Sequence, residues 1–203
     1  MNNKKIFLII LLVLILLLGG ASVLYIQLSQ TVAPDQLIVQ TPSQETEPSA
    51  EADSTKPTQT EPVKVPAPDF TVYDLEGNEA HLSDYFGKPI VLNFWASWCG
   101  PCQMEMPDFQ EAYLELGDSV HFLMVNMTDG MRETVMIASE FITEKGYTFP
   151  VFYDKASDAA VTYGVYSLPT TYFIDAEGYA VAQATGAINR ITLQRGIALI
   201  TPK

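Results

Sequence analysis

The sequence predicts an α/β fold, a central mixed β-sheet flanked by helices, and three observations carry that prediction. Two largely apolar runs, "KPIVLNFWA" (88–96) and "SVHFLMVNM" (119–127), have the continuous hydrophobicity of strands covered on both faces. Stretches with helical spacing follow them. The stretch "TTYFIDAEGYAVAQAT" (170–185) then reads as a hairpin turning at Ala176-Glu177-Gly178. Strands that alternate with helices and close in a hairpin define a layered α/β domain.

Taken in order, "APDFTVYDLEGNEAHLSDY" (67–85) reads as an N-terminal pair of short strands around a turn at Glu76-Gly77. After the 88–96 strand, a helix begins at the cysteines and runs to about Leu116. The 119–127 strand leads into "RETVMIASEFITEKG" (132–146), where Val135, Ala138, Phe141 and Ile142 share one helical face and Gly146 ends the helix. "FPVFYD" (149–154) is a strand and "SDAAVTYG" (157–164) a short helix. A last helix covers about Asn189 to Ile200. His81 and His121 are most simply surface or strand positions.

Composition divides the chain into three parts. Residues 1–28 carry Lys4 and Lys5 ahead of an apolar run from Ile6 to Ile26, with no further Lys or Arg before Lys56. About 20 apolar residues span a membrane, and the charge asymmetry places the N-terminus in the cytoplasm with the rest outside. A signal peptide cleaved near Gly19 or Ala21 is the competing reading. Residues 29–66 are rich in Thr, Pro, Ser, Gln and Glu and lack aromatics. Such a stretch cannot bury enough apolar surface to order itself, so it reads as a disordered tether with a typical span of roughly 35 Å. Residues 67–203 are long enough for one domain with a real core. The formal net charge of -13 excludes nucleic acid as a partner, since that needs basic patches.

Both cysteines of the chain, Cys99 and Cys102, lie in "NFWASWCGPCQMEMP" (93–107). A bridge closing so short a loop removes little unfolded-state entropy, so stability does not explain it. Zinc would need two more ligands, and His81 and His121 have neither the spacing nor a second C-x-x-C to join. No metal and no cofactor beyond a redox-active Cys99–Cys102 disulfide is implied. At the start of a helix, free backbone N–H groups and the dipole favour a Cys99 thiolate, and Pro101 suits the first turn. Cys102, one turn deeper, is the resolving thiol. Glu105, three residues on, is a helical neighbour of Cys102. It reads either as a proton acceptor for that thiol or as a solvated acid beside Asp108, Glu111 and Glu115. Those acids, with no basic residue in the helix, oppose the dipole.

These residues resemble a known family. "FWASWCGPC" with Pro107 is similar to the thioredoxin active-site strand and helix, "SLPTT" (167–171) to its cis-proline loop, and "ATGAI" (184–188) to the segment that completes its substrate groove. The opening "APDF", "LSDYFGKPIVLNFWASWCGPCQMEMP" and "SLPTTYFIDAEG" resemble the membrane-anchored TlpA/ResA group of thiol-disulfide oxidoreductases. So does the inserted helix-strand unit at 132–154. The resemblance implies a thioredoxin-like fold, a cis Pro169 against Cys99, and an acid at Glu105 beside the active site. It also implies an integral membrane thiol protein as electron donor. Asn93 stands where thioredoxin has a buried aspartate and cannot relay a proton; Glu105 is then the replacement. Peroxiredoxins share the fold, but their peroxide site needs a hydroxyl where this chain has Ala96 and a proline where it has Leu92.

The resulting expectation is an extracytoplasmic, membrane-tethered oxidoreductase acting on exported disulfide-containing proteins. Cys99 is its nucleophile, Cys102 the resolving thiol, Glu105 the proton acceptor and Pro169 the substrate-loop residue. Trp98, Pro101, Leu168, Gly186 and Ala187 form the docking patch, with Met104 at its margin. Leu168 has no hydroxyl to stabilise a thiolate, which with Gly100-Pro101 favours a disulfide reductase, including one serving cytochrome c maturation. An oxidant of secreted thiols, and a binding module without turnover, are the rivals.

Overall fold

Strand β5 (Ile90–Trp95) is buried at every residue and organises the rest. Because side chains alternate along a strand, it feeds two cores. Val91 and Trp95 join one apolar cluster; Ile90, Leu92 and Phe94 join the other. In the computed structural model, which describes residues 37–39 and 65–201, all these residues belong to one compact unit, Gln36–Lys203. The other strands are β1 (Leu37–Val39), β2 (Val65–Pro66), β3 (Thr71–Tyr73), β4 (Glu79–His81), β6 (His121–Asn126), β7 (Val151–Tyr153), β8 (Thr170–Ile174) and β9 (Tyr179–Thr185). The sheet order is β1-β9-β8-β5-β6-β7-β3-β4, with β2 also on β9.

Parallel pairing joins β5 to β6 and β6 to β7, whereas β8 runs antiparallel to β5 and β9 antiparallel to β8. The sheet is therefore mixed, as expected. One face carries α1 (Gly100–Leu116), α2 (Val135–Lys145) and α4 (Arg190–Ile200), through Met106, Phe109, Ala138, Leu193 and Ile197. The other carries α3 (Asp158–Thr162) and a 3₁₀ turn at Leu82–Tyr85, through Ala159 and Leu82. Helix α2 starts where Thr134 caps Ile137 N–H and stops at Gly146, whose φ of 70° needs a residue without a Cβ.

Two pieces of the stretch read as tether are strands, which corrects that expectation for those residues. Leu37–Val39 pairs with Ala184 to Ala182 on the outer edge of β9, and Val65–Pro66 pairs with Ala180 and Tyr179 on the same edge. Leu37 supplies the physical reason: it packs against the core cluster that holds Ala182 and Ala184. The expected anchor at 1–28 and the remainder of 29–66 lie outside the described residues. Among the described residues no helix is long and apolar enough to cross a membrane.

Candidate active site

Strand β5 delivers the chain into the loop 96–98, and Cys99 caps the N-terminus of α1. Its Sγ accepts a hydrogen bond from Cys102 N–H at 3.2 Å, and Gly100 and Pro101 occupy the first turn, where a missing N–H costs nothing. The two sulfurs are bonded, with Cα atoms 5.2 Å apart. Cys102 is fully buried, while Cys99 retains 4% exposure and lines an open groove of about 450 Å³. Cys102 is thus the less exposed of the two, as its place one turn deeper in the helix predicts.

Glu105 is not a solvated acid. It is 2% exposed, and its two oxygens are held from opposite sides. Asn93 Nδ2 donates to Oε1 at 2.8 Å, and Ile188 N–H donates to Oε2 at 2.9 Å. Burial pushes the carboxyl up to about 8, against the lowering effect of the Ile188 and Asn93 hydrogen bonds; the charge of Asp108 adds to the rise. Asn93 Nδ2 also donates to Thr171 Oγ1 at 3.0 Å, and Asn93 Oδ1 is buried without a partner. The other acids of α1 differ in kind. Glu111 and Glu115 are paired with Arg190 at the start of α4, which offsets their opposition to the helix dipole.

The peptide bond between Leu168 and Pro169 is cis, as the resemblance implied. Pro169 is buried, and its carbonyl accepts from Gly186 N–H at 2.8 Å. The segment 186–188 thus joins two parts of the site, Pro169 through Gly186 and Glu105 through Ile188. Of the expected docking patch, Trp98, Pro101 and Leu168 line the groove; Gly186 and Ala187 lie outside its lining, as does the exposed Met104. The groove takes instead Met127, Asp129, Val165, Tyr166 and Ser167, with Tyr166 97% exposed. Neither Tyr166 nor Val165 carries a local signature. Only the cis bend that brings 165–168 to the cysteines marks them.

A second buried acid went unnoticed in the sequence. Glu133, in the β6–α2 loop, is fully buried and bonded to the loop that precedes Cys99. Its Oε1 accepts from Ser97 N–H at 2.8 Å and from Asn126 Nδ2 at 2.7 Å, and its Oε2 accepts from Ser97 Oγ at 2.6 Å. Its neighbour Arg132 lays its guanidinium over Trp98, 3.9 Å from the ring centroid. Among the described residues, no three His, Cys, Asp or Glu side chains are grouped to hold a metal.

A thioredoxin-like sheet, a Cys-x-x-Cys pair at a helix N-terminus and a cis-proline whose preceding Leu168 lines the same groove define the class of thiol-disulfide oxidoreductases, whose redox centre is here the Cys99–Cys102 pair. Comparison with known proteins agrees. The sequence profile of the AhpC/TSA family matches residues 63–182, and the chain belongs to that family. The thiol-disulfide oxidoreductase ResA of Geobacillus thermodenitrificans is 38% identical over 137 residues, covering 67% of this chain and 76% of that protein. Two crystal structures share the fold. StoA from Bacillus subtilis superposes with a TM-score of 0.56 at 27% identity, covering 66% of this chain and 98% of its own. The exposed lipoprotein thioredoxin Etrx1 of Streptococcus pneumoniae superposes at 0.54 with 36% identity, covering 63% and 96%. The chain is a ResA-like member of the thioredoxin superfamily. Ala96 and Leu92, both fully buried, stand where a peroxidase would need its hydroxyl and proline.

Proposed function

We propose that this protein reduces disulfides of exported proteins on the outer side of a membrane, with residues 1–28 as its anchor. The observation that carries the reductive direction is the setting of Cys99. One backbone N–H, from Cys102, reaches its Sγ, and the residue before the cis-proline is Leu168, which has no hydroxyl to add to that bond. A strong oxidant owes its potential to a stabilised reduced form, and beyond the Cys102 N–H and the helix dipole, Leu168 adds nothing to the stabilisation of a Cys99 thiolate.

In the reduced enzyme, Cys99 as thiolate attacks one sulfur of a substrate disulfide seated in the groove. A mixed disulfide forms and the first substrate thiolate leaves, to be protonated by solvent. Cys102 passes its proton to the ionised Glu105 and attacks Cys99 Sγ, which re-forms the internal disulfide and expels the second substrate thiolate. Two electrons move from the Cys99–Cys102 dithiol to the substrate. A carboxyl that titrates near 8 is a far better acceptor for a thiol proton than one at the reference value of 4.5. When Glu105 takes the proton, it gains an O–H donor, and Asn93 can turn its amide to present the unpartnered Oδ1.

An exported setting is supported by the composition of residues 1–28 and by the likeness to Etrx1, an exposed lipoprotein. Apocytochrome c is the candidate substrate that the TlpA/ResA resemblance suggests, and an integral membrane dithiol protein the candidate electron donor. The deciding measurement is the reduction potential of the chain from Gln36 onward. A value near -270 mV, about that of thioredoxin, supports the reductase; a value approaching about -120 mV identifies an oxidant instead. Cys99→Ser should abolish insulin reduction. Cys102→Ser should trap mixed disulfides in cells, whose partners name substrate and donor.

A further inference from the structure

We propose that Glu133 is a positioning residue of the redox centre, a buried clamp that fixes the loop delivering Cys99 to the N-terminus of α1. Three donors converge on its carboxylate, two of them from Ser97, and Ser97 lies two residues before Cys99. This is the hydrogen-bond complement of an acceptor-only group. The clamp is itself braced. Asn126 at the end of β6 accepts from Thr128 Oγ1 at 2.9 Å through its Oδ1. Asp129 Oδ1 accepts from the backbone N–H groups of Met131 and Glu133 at 2.8 Å each. From the other side, Gln103 of α1 donates its side-chain amide to Ser97 carbonyl. Both polar groups of the Ser97 backbone are therefore held, one by the β6–α2 loop and one by α1. Arg132 over Trp98 extends the same grip by one residue.

The consequence concerns ring closure. The equilibrium between dithiol and disulfide depends on how closely the fold holds the two thiols to each other, and Cys102 is already fixed inside α1. Cys99 is the half that the loop positions. Releasing Ser97 lowers the effective concentration of Cys99 at Cys102, so the disulfide closes less favourably. A role confined to overall stability would weaken oxidised and reduced forms alike and leave that equilibrium where it was.

Glu133→Ala and Glu133→Gln separate the possibilities in the chain from Gln36 onward. Gln can keep the clamp: its Oε1 still accepts from Ser97 N–H and Asn126, and its Nε2 donates to Ser97 Oγ, which turns to accept. In glutathione equilibria read by thiol alkylation, Glu133→Ala should shift toward the dithiol by about tenfold, or about 30 mV for a two-electron couple. Its insulin reduction should slow by a similar factor, and Glu133→Gln should stay within about twofold of the parent on both readings. A folded Glu133→Ala with the parent's equilibrium overturns the proposal, and so does a Gln variant as impaired as Ala. Should Glu133→Ala fail to fold, Ser97→Ala removes one of the two Ser97 bonds and must shift the equilibrium the same way by less; no shift there also overturns it.

Discussion

Two carboxylates are buried near the redox pair, one three residues after Cys102 and one bonded to Ser97, two residues before Cys99, and they are built differently. Glu105 sits inside α1 with two donors, Asn93 Nδ2 and Ile188 N–H, and burial overrides both to bring its titration to about 8. Glu133 sits in a loop with three donors, all within 2.8 Å. One acid is under-supplied with donors and beside a thiol that must lose a proton. The other has three donors and is tied to backbone. The contrast shows how donor supply around a buried acid can suit it either to exchanging protons or to holding structure.

The largest effect expected from breaking this contrast comes from Glu105→Gln. Resolution of the mixed disulfide should slow by about 10²-fold, and the rise in rate through pH 8 should disappear from the insulin-reduction profile. Stability should move oppositely. The folded carboxyl titrates near 8 and the reference value is 4.5, so the folded chain keeps a proton that the unfolded chain releases between those values. Its contribution is full below about pH 4.5, falls as pH rises toward 8 and is flat above. Glu105→Gln removes that loss, so at pH 9 the variant should be more stable than the parent by on the order of 4 kcal/mol in urea unfolding. A parent whose stability is level from pH 5 to 8 breaks the comparison.

A smaller effect is expected from Asn93→Leu. It deletes a donor that lowers the Glu105 value, so the alkaline limb of the rate profile should move to higher pH. A limb that stays in place would mean that Asn93 is mere packing. Thr171→Val should do least. It takes the second acceptor from Asn93 Nδ2 and should cost about 1 kcal/mol by thermal unfolding, with the pH profile almost unchanged.

Much of this was legible in the sequence, for identifiable reasons. The 88–96 and 119–127 runs declare buried strands because both faces of the sheet are covered, and the structure places β5 and β6 there. Cys99, Cys102 and Glu105 lie within seven residues of one helix start, so local spacing sufficed to group them. Asn93 was recognisable as a departure, but its bond to Glu105 appears only when the strand packs on the helix. Glu133 had no such marker. Its partners Ser97 and Asn126 lie 36 and 7 residues away, and parallel pairing of β5 with β6, which sets Trp95 opposite Asn126, brings them together. The paired ends of the Pro/Thr/Glu-rich stretch were hidden for another reason: composition averaged over a long polar segment dilutes the three apolar residues Leu37-Ile38-Val39.

Those paired ends change what the polar stretch between them can do. Val39 stands opposite Ala182 and Val65 opposite Ala180, so the chain leaves β9 and returns to it two residues further along, about 7 Å. Because both of its ends are held on one strand, a stretch of any length between Val39 and Val65 is closed by the sheet. A segment in series adds reach; a closed circuit adds none. Doubling its length would cost only about 0.6 kcal/mol of closure entropy. While Leu37–Val39 holds its place on β9, lengthening that stretch moves neither paired end relative to the Cys99–Cys102 pair.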